Sequence, residues 1–202
     1  MKYLWLAIFA SVFIWSAIEP KETFTWFLEV VPAVIGLVII IATRNSFKLT
    51  PLLYALILVH CVILMVGGHY TYAEVPFFDT LKEWFSWQRN NYDKVGHLAQ
   101  GFIPAIIARE IFIRKDIINP AIKHAQSWMN YLIVSVCLAF SAFYELIEWA
   151  VAAMYGAEGD SFLGTQGYIW DTQSDMGFAL LGAILALLLL SKYHDKQLAQ
   201  LA

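Results

Sequence analysis

Six runs of mostly apolar residues dominate this 202-residue chain, approximately 3–18, 24–43, 51–67, 95–113, 128–155 and 175–193. The hydrocarbon core of a bilayer is ~30 Å thick and a helix crosses it with about 20 residues, so these runs predict transmembrane helices. The first and third are short, but Tyr3, Trp5 and Trp15 flank one and Tyr54, Tyr70 and Tyr72 the other, as expected where helices end among lipid headgroups. Pro20, Pro51, Gly67-Gly68 and Pro120 mark the joints. Composition excludes the soluble alternative: 60% of residues are hydrophobic and 14% charged, against about 45–50% and 25% in soluble domains. The expectation is an all-α integral membrane bundle of about six transmembrane helices, one domain over 1–202, with outer loops at 68–92 and 156–174.

Met1-Lys2 followed by an apolar run resembles a signal peptide, but Trp15-Ser16-Ala17-Ile18-Glu19 offers no convincing pair of small residues for cleavage. The segment is therefore read as a retained first helix. Cys61 and Cys137 lie inside apolar runs and read as packing residues. With the N-terminus inside, nine basic residues (Lys2, Arg44, Lys48, Arg109, Arg114, Lys115, Lys123, Lys192, Lys196) fall on the inner side and four (Lys21, Lys82, Arg89, Lys94) on the outer. The positive-inside rule then places both termini in the cytoplasm. The acids distribute oppositely: only Glu110, Asp116 and Asp195 fall inside, and thirteen, Glu158 and Asp160 among them, fall outside or near outer helix ends.

That orientation brings three pairs of polar residues to one side of the membrane. Asp93 and His97 start the fourth helix and Asp171 and Asp175 the sixth, each pair four apart; Glu145 and Glu148 lie three apart in the outer part of the fifth. Each spacing puts its pair on one helix face. Gln100 and Ser141 continue two of these faces, and Gly182 permits close approach along the third. An Asp at the centre of a membrane helix costs about 2.5–3.5 kcal/mol on insertion scales, which makes such residues candidates for function. Two like charges 4 Å apart repel by roughly 4 kcal/mol at an effective dielectric near 20, so clustered carboxylates must hold a cation, hold protons or pair with a base. His97 and Lys94 are the nearest candidate bases, and one imidazole with several carboxylates is a credible donor set for a divalent metal ion. Asp93, His97, Glu145 and Asp175 are the expected metal ligands, with Glu148 and Asp171 completing the expected catalytic set. N-terminal capping is the competing explanation for Asp93 and Asp171.

Two loops border this site. The first carries His69, Tyr72 and Glu74, and the second carries Gln166 among Gly159, Gly164 and Gly167; these four side chains are candidate substrate contacts. Residues 80–88, with Trp84, Phe85 and Trp87, suggest an interfacial helix. His60 reads as a satisfied core histidine, and His124 and His194 as cytoplasmic surface residues.

Several segments carry a family resemblance. Gly67 to Pro76, Asn91-Tyr92-Asp93-Lys94-Val95-Gly96-His97, Phe143-Tyr144-Glu145-Leu146-Ile147-Glu148-Trp149, and Gly164 to Met176 together resemble the YjdF family of bacterial inner-membrane proteins, over most of the chain. A more distant similarity is to VanZ-like membrane proteins: Asp93-Lys94-Val95-Gly96-His97 is similar to their Asp-Lys-x-x-His motif, Glu145 to a helix-borne Glu, and Asp175 through Gly182 to an Asp-x-x-x-Asn-x-x-Gly pattern. Ala179 stands where that pattern has Asn, and Glu148 where Gln is common. The resemblance implies that the His and carboxylate positions form one site in the inner membrane.

The expected function is that of a membrane protein with an outward-facing polar site, a metal-assisted hydrolase or transferase acting on a lipid or envelope precursor. Proton- or ion-coupled transport, or acids that serve only helix packing, are the alternatives. Membrane lipids are the expected partners. Nucleic-acid binding has no support, since there is no basic patch outside the membrane flanks, and no phosphate loop or nucleophile elbow is present.

Overall fold

The computed structural model describes residues 2–156 and 162–201. Glu158, Gly159 and Asp160 of the second loop lie outside the described residues. Among the described residues seven helices form: α1 (Lys2–Ala17), α2 (Thr23–Thr43), α3 (Pro51–His69), α4 (Pro76–Phe85), α5 (Tyr92–Arg114), α6 (Ala125–Tyr155) and α7 (Asp171–Leu198). Each expected apolar run lies within a helix or nearly coincides with one, with shifted ends that have local causes. Pro51 is set at the start of α3 and Thr50 Oγ1 accepts from the Leu53 amide at 3.4 Å, a capping arrangement that satisfies one free donor of the first turn. The interfacial helix starts at Pro76 rather than Thr80 and stops at Ser86, whose φ of 52° is left-handed. α5 starts three residues earlier than expected, at Tyr92, whose amide donates to the Asn90 side chain at 3.1 Å.

α2, α3, α6 and α7 are long and apolar enough to cross a membrane by themselves. α1 has 16 residues. α5 has 23 residues, a length of about 34 Å, but carries Asp93, Lys94, Arg109, Glu110 and Arg114. Hydropathy alone therefore supports four spans rather than six. The polar content of α5 follows from its place: α7 packs along it and α3 and α6 also touch it, whereas α1 and α2 join the bundle through α3. A helix surrounded by protein can carry groups that lipid would reject.

The α5–α7 seam is built on glycine. A Cβ on Gly101 would overlap the Ala179 carbonyl, and one on Gly182 would overlap the Leu98 carbonyl, so the two backbones meet where only glycine fits. Ile106, Ile133, Cys137, Ala183 and Ala186 fill the core at the end of the bundle nearer Arg114; Phe9, Val30, Ala33, Cys61 and Met65 fill a second between α1, α2 and α3. Both cysteines are buried and unpaired.

At the Arg114 end lies a second polar cluster that overturns the expectation for His194. That residue is fully buried, with Nε2 3.0 Å from Glu110 Oε2 and Nδ1 3.0 Å from Arg109 Nη1. Arg109 can only donate, so Nδ1 accepts and Nε2–H donates to Glu110. Glu110 also accepts from Thr50 Oγ1 at 2.8 Å and Arg114 at 2.8 Å, and Arg109 reaches Asp195 at 2.6 Å. The cluster ties the start of α3 to the ends of α5 and α7.

Candidate functional site

At the opposite end, the amino-terminal turns of α5 and α7 meet the carboxyl-terminal half of α6. The helical registers foreseen for these segments bring Asp93 and His97, Glu145 and Glu148, and Asp171 and Asp175 to one centre. One oxygen or nitrogen from each of Asp93, His97 and Asp175 lies within 4.8 Å of the others, and the same holds for His97, Glu145 and Glu148. His97 thus belongs to two triads.

The two triads differ in charge. On the α7 side, Lys94 Nζ lies 2.8 Å from Asp171, 2.6 Å from Asp175 and 3.4 Å from Asp93. Arg89 pairs with Asp171, lies 3.4 Å from Asp93 and donates to the Gly164 carbonyl at 3.3 Å. Tyr168 of the second loop covers both cations, with its ring 5.6 Å from Arg89 and 5.8 Å from Lys94. The N-cap positions are Asn91 and Trp170 rather than the aspartates; the carboxylates of Asp93 and Asp171 hold basic side chains. Three aspartates against two cations form a largely compensated network.

On the α6 side there is no lysine or arginine among the described residues. His97 Nε2 is 3.3 Å from Asp93 Oδ1, its Nδ1 is 3.1 Å from Gln100 Oε1, and Nδ1 also faces Glu145 Oε1 at 3.8 Å. Glu145 and Glu148 are both buried, and Glu145 Oε1 has no hydrogen-bond partner among the described residues. A buried carboxylate oxygen without a donor costs free energy until a proton or cation meets it.

This uncompensated side opens onto a groove of about 1030 Å³ walled by α2 and α6 and floored by α3 and α5. Glu29, Tyr72, Asp93, His97, Tyr144 and Glu148 line one end, apolar side chains such as Ile39, Ile103, Ile107 and Phe140 the middle, and Lys115 the other end. Along α5 and its C-cap the lining runs from Asp93 to Lys115, about 33 Å at the helical rise, which matches a bilayer core of ~30 Å. Pro32 and Pro104 also line it; each removes a helical donor and frees a carbonyl four residues back, tolerated at membrane depth where backbone borders a cavity.

Of the four loop residues expected to contact substrate, only Tyr72 lines the groove. Its ring packs against Gly67 and Gly96 and meets Tyr92 edge-on at 5.5 Å. Burial pushes its phenol well above the ordinary value, so it stays a hydrogen-bond donor. The other three serve loop structure. His69 packs against Trp15 with ring centroids 4.6 Å apart and donates from Nδ1 to the Ser16 carbonyl at 3.1 Å. Glu74 pairs with Lys21 at 2.9 Å on the exposed surface. Gln166 clasps the Asn90 backbone, accepting at 3.0 Å and donating at 2.9 Å, and Asn90 in turn donates to the Val75 carbonyl and Asp79. The two loops are thereby locked together.

Sequence reasoning missed Arg89, Glu29 and Tyr144 as members of the centre. Arg89 precedes Asp93 by four residues, and Glu29 is the one acid within the first three apolar runs, which are the signals that pointed to them. Glu29 Oε2 accepts from Tyr144 Oη at 3.2 Å, joining α2 to α6 across the mouth of the groove.

Residues 1–196 match the family described as "Predicted membrane protein (DUF2238)". The chain is 46% identical over 187 residues to "Inner membrane protein YjdF" of Escherichia coli (strain K12), covering 93% of this chain and 87% of that protein. No solved structure matches it. These matches support the YjdF resemblance and not the VanZ-like one. With its apolar helices and a relative of this identity along nearly the whole length, the chain belongs to the YjdF family of multi-pass proteins of the bacterial inner membrane.

Proposed function

We propose that the chain is an integral-membrane hydrolase or transferase acting on the polar end of a lipid or lipid-linked envelope precursor, with His97, Glu145 and Glu148 holding a divalent cation. The observation that carries this reading is the position of an uncompensated His/carboxylate centre at the end of an apolar groove as long as the membrane is thick. The excess of basic residues at the other end argues that this centre faces the periplasm.

The donor set first expected, Asp93, His97, Glu145 and Asp175, is narrowed by charge. Lys94 stands 2.6 Å from Asp175 and would repel a cation there. His97, Glu145 and Glu148 fit better, because they bring two carboxylates and one imidazole with no ammonium among them and one oxygen already lacking a partner. A divalent cation held there supplies Lewis-acid polarisation of a phosphoryl or carbonyl oxygen. Asp93 Oδ1 orients the imidazole from its other nitrogen, the supporting role that carboxylates take behind histidine ligands. Arg89 and Lys94 act by holding the aspartates that frame His97.

The test is turnover. Purified protein reconstituted with bacterial polar lipids should change the headgroup profile seen by mass spectrometry, and chelator or His97→Ala should abolish the change. An unchanged lipid profile with folded, metal-supplemented protein would overturn the enzymatic reading.

A further inference from the structure

The walls of the groove are joined weakly. α2 packs on α3 and α6 packs on α5 and α7; across the groove, α2 meets α6 through the Glu29–Tyr144 hydrogen bond and the Phe24–Tyr155 ring pair at 5.0 Å. Both contacts lie at the Asp93 end. Farther along, Ile35, Ile39, Phe140 and Phe143 line the groove while remaining exposed, so a chain in the surrounding lipid reaches the interior sideways without crossing polar ground.

Charge selects what such a chain carries. Glu29 and Glu148 line the groove, and neither has a lysine or arginine partner among the described residues. Arg89 and Lys94 are turned to the aspartates and do not line it. A headgroup that ends in an anion would meet carboxylates, whereas one ending in an amine brings the cation and N–H donors that a buried carboxylate needs. We infer that the groove is a lateral berth for one aminophospholipid, which enters between α2 and α6 and places its headgroup amine on Glu29 beside Tyr144. This deepens the lipid reading above by naming the headgroup class, and rests on that reading only in taking the groove as the place where the lipid lies.

Gly36 provides an independent handle: it lines the groove, and a Cβ added to it meets nothing within 4 Å. Gly36→Phe therefore fills the groove from an open position and leaves the polar end untouched. Delipidated protein in detergent is titrated with dioleoyl phosphatidylethanolamine, phosphatidylcholine or phosphatidylglycerol, and bound lipid is counted by native mass spectrometry. The wild type should prefer the ethanolamine lipid by about tenfold or more, the scale of a desolvated charge-assisted hydrogen bond. Glu29→Gln should erase that preference, Tyr144→Phe should weaken it, and Gly36→Phe should lower binding of all three lipids. His97→Ala should keep the preference while losing metal and turnover, so this inference and the enzymatic reading fail separately. Equal binding of phosphatidylglycerol, or a preference that survives both Glu29→Gln and Tyr144→Phe in monodisperse protein, would overturn the berth.

Discussion

Lys94 illustrates how much a single side chain decides in this molecule. It touches three aspartates from two helices, and removing one member of a buried ion cluster leaves its partners uncompensated, at a cost of about 3–5 kcal/mol. Lys94→Met should therefore lower the thermal midpoint in detergent sharply, and adding Asp175→Asn should recover part of the loss, read as a coupling in a double-mutant cycle. If Lys94→Met unfolded at the wild-type temperature, the network would be an exposed ornament. The convergence of Asp93, His97, Glu145 and Asp175 was legible because helical period and membrane side together restrict where such residues can point. Arg89 as a partner of the aspartates was not, and Lys94, though named as a candidate base, could not be assigned to Asp171 and Asp175, because a lysine beside an aspartate in sequence says nothing about which acid from another helix it will meet. His194 was misread for a related reason: its neighbours Lys192 and Asp195 look like a solvated terminus, and only Glu110 and Arg109 of α5 reveal that the helix turns this face inward.

At the scale of elements, the polarity of α5 records its burial. Its hydropathy falls below that of its neighbours because they, and not lipid, surround it, and the same burial makes its seam with α7 intolerant. Gly101→Leu and Gly182→Val should each destabilise the bundle by more than about 2 kcal/mol, since overpacking against backbone leaves nothing free to move. Gly177, also on α7, has nothing within 4 Å of an added Cβ; Gly177→Ala should be neutral or stabilise by up to about 1 kcal/mol through helix propensity. Thermal unfolding of the three variants distinguishes a tight α5–α7 seam from a general dislike of substitution. The runs and breakers marked the helices in sequence, and Gly182 was noticed as a point of close approach. That α2 stands apart from α6 was not legible, because nothing in an apolar sequence distinguishes a face turned to lipid from one turned to a groove.

At the scale of the molecule, charge is sorted between two ends. One end gathers carboxylates around His97 and the groove mouth; the other gathers basic residues and the Glu110–His194–Arg109 cluster. In the proposed orientation, which follows the positive-inside rule, the first end faces the periplasm. Single cysteines introduced at Lys82 and Lys123 in a background lacking Cys61 and Cys137 should then react with a membrane-impermeant maleimide from the outside and only after permeabilisation, respectively. The reverse pattern would move the centre to the cytoplasmic face and with it the substrate. The measurement closest to the chemistry is metal content. Elemental analysis of purified wild type, Asp175→Asn and Glu148→Gln should give about one divalent ion per chain in the first two, the occupancy of one site bound by His97, Glu145 and Glu148, and none in Glu148→Gln. A metal-free wild type, or an ion that stays in Glu148→Gln and leaves in Asp175→Asn, would contradict the account.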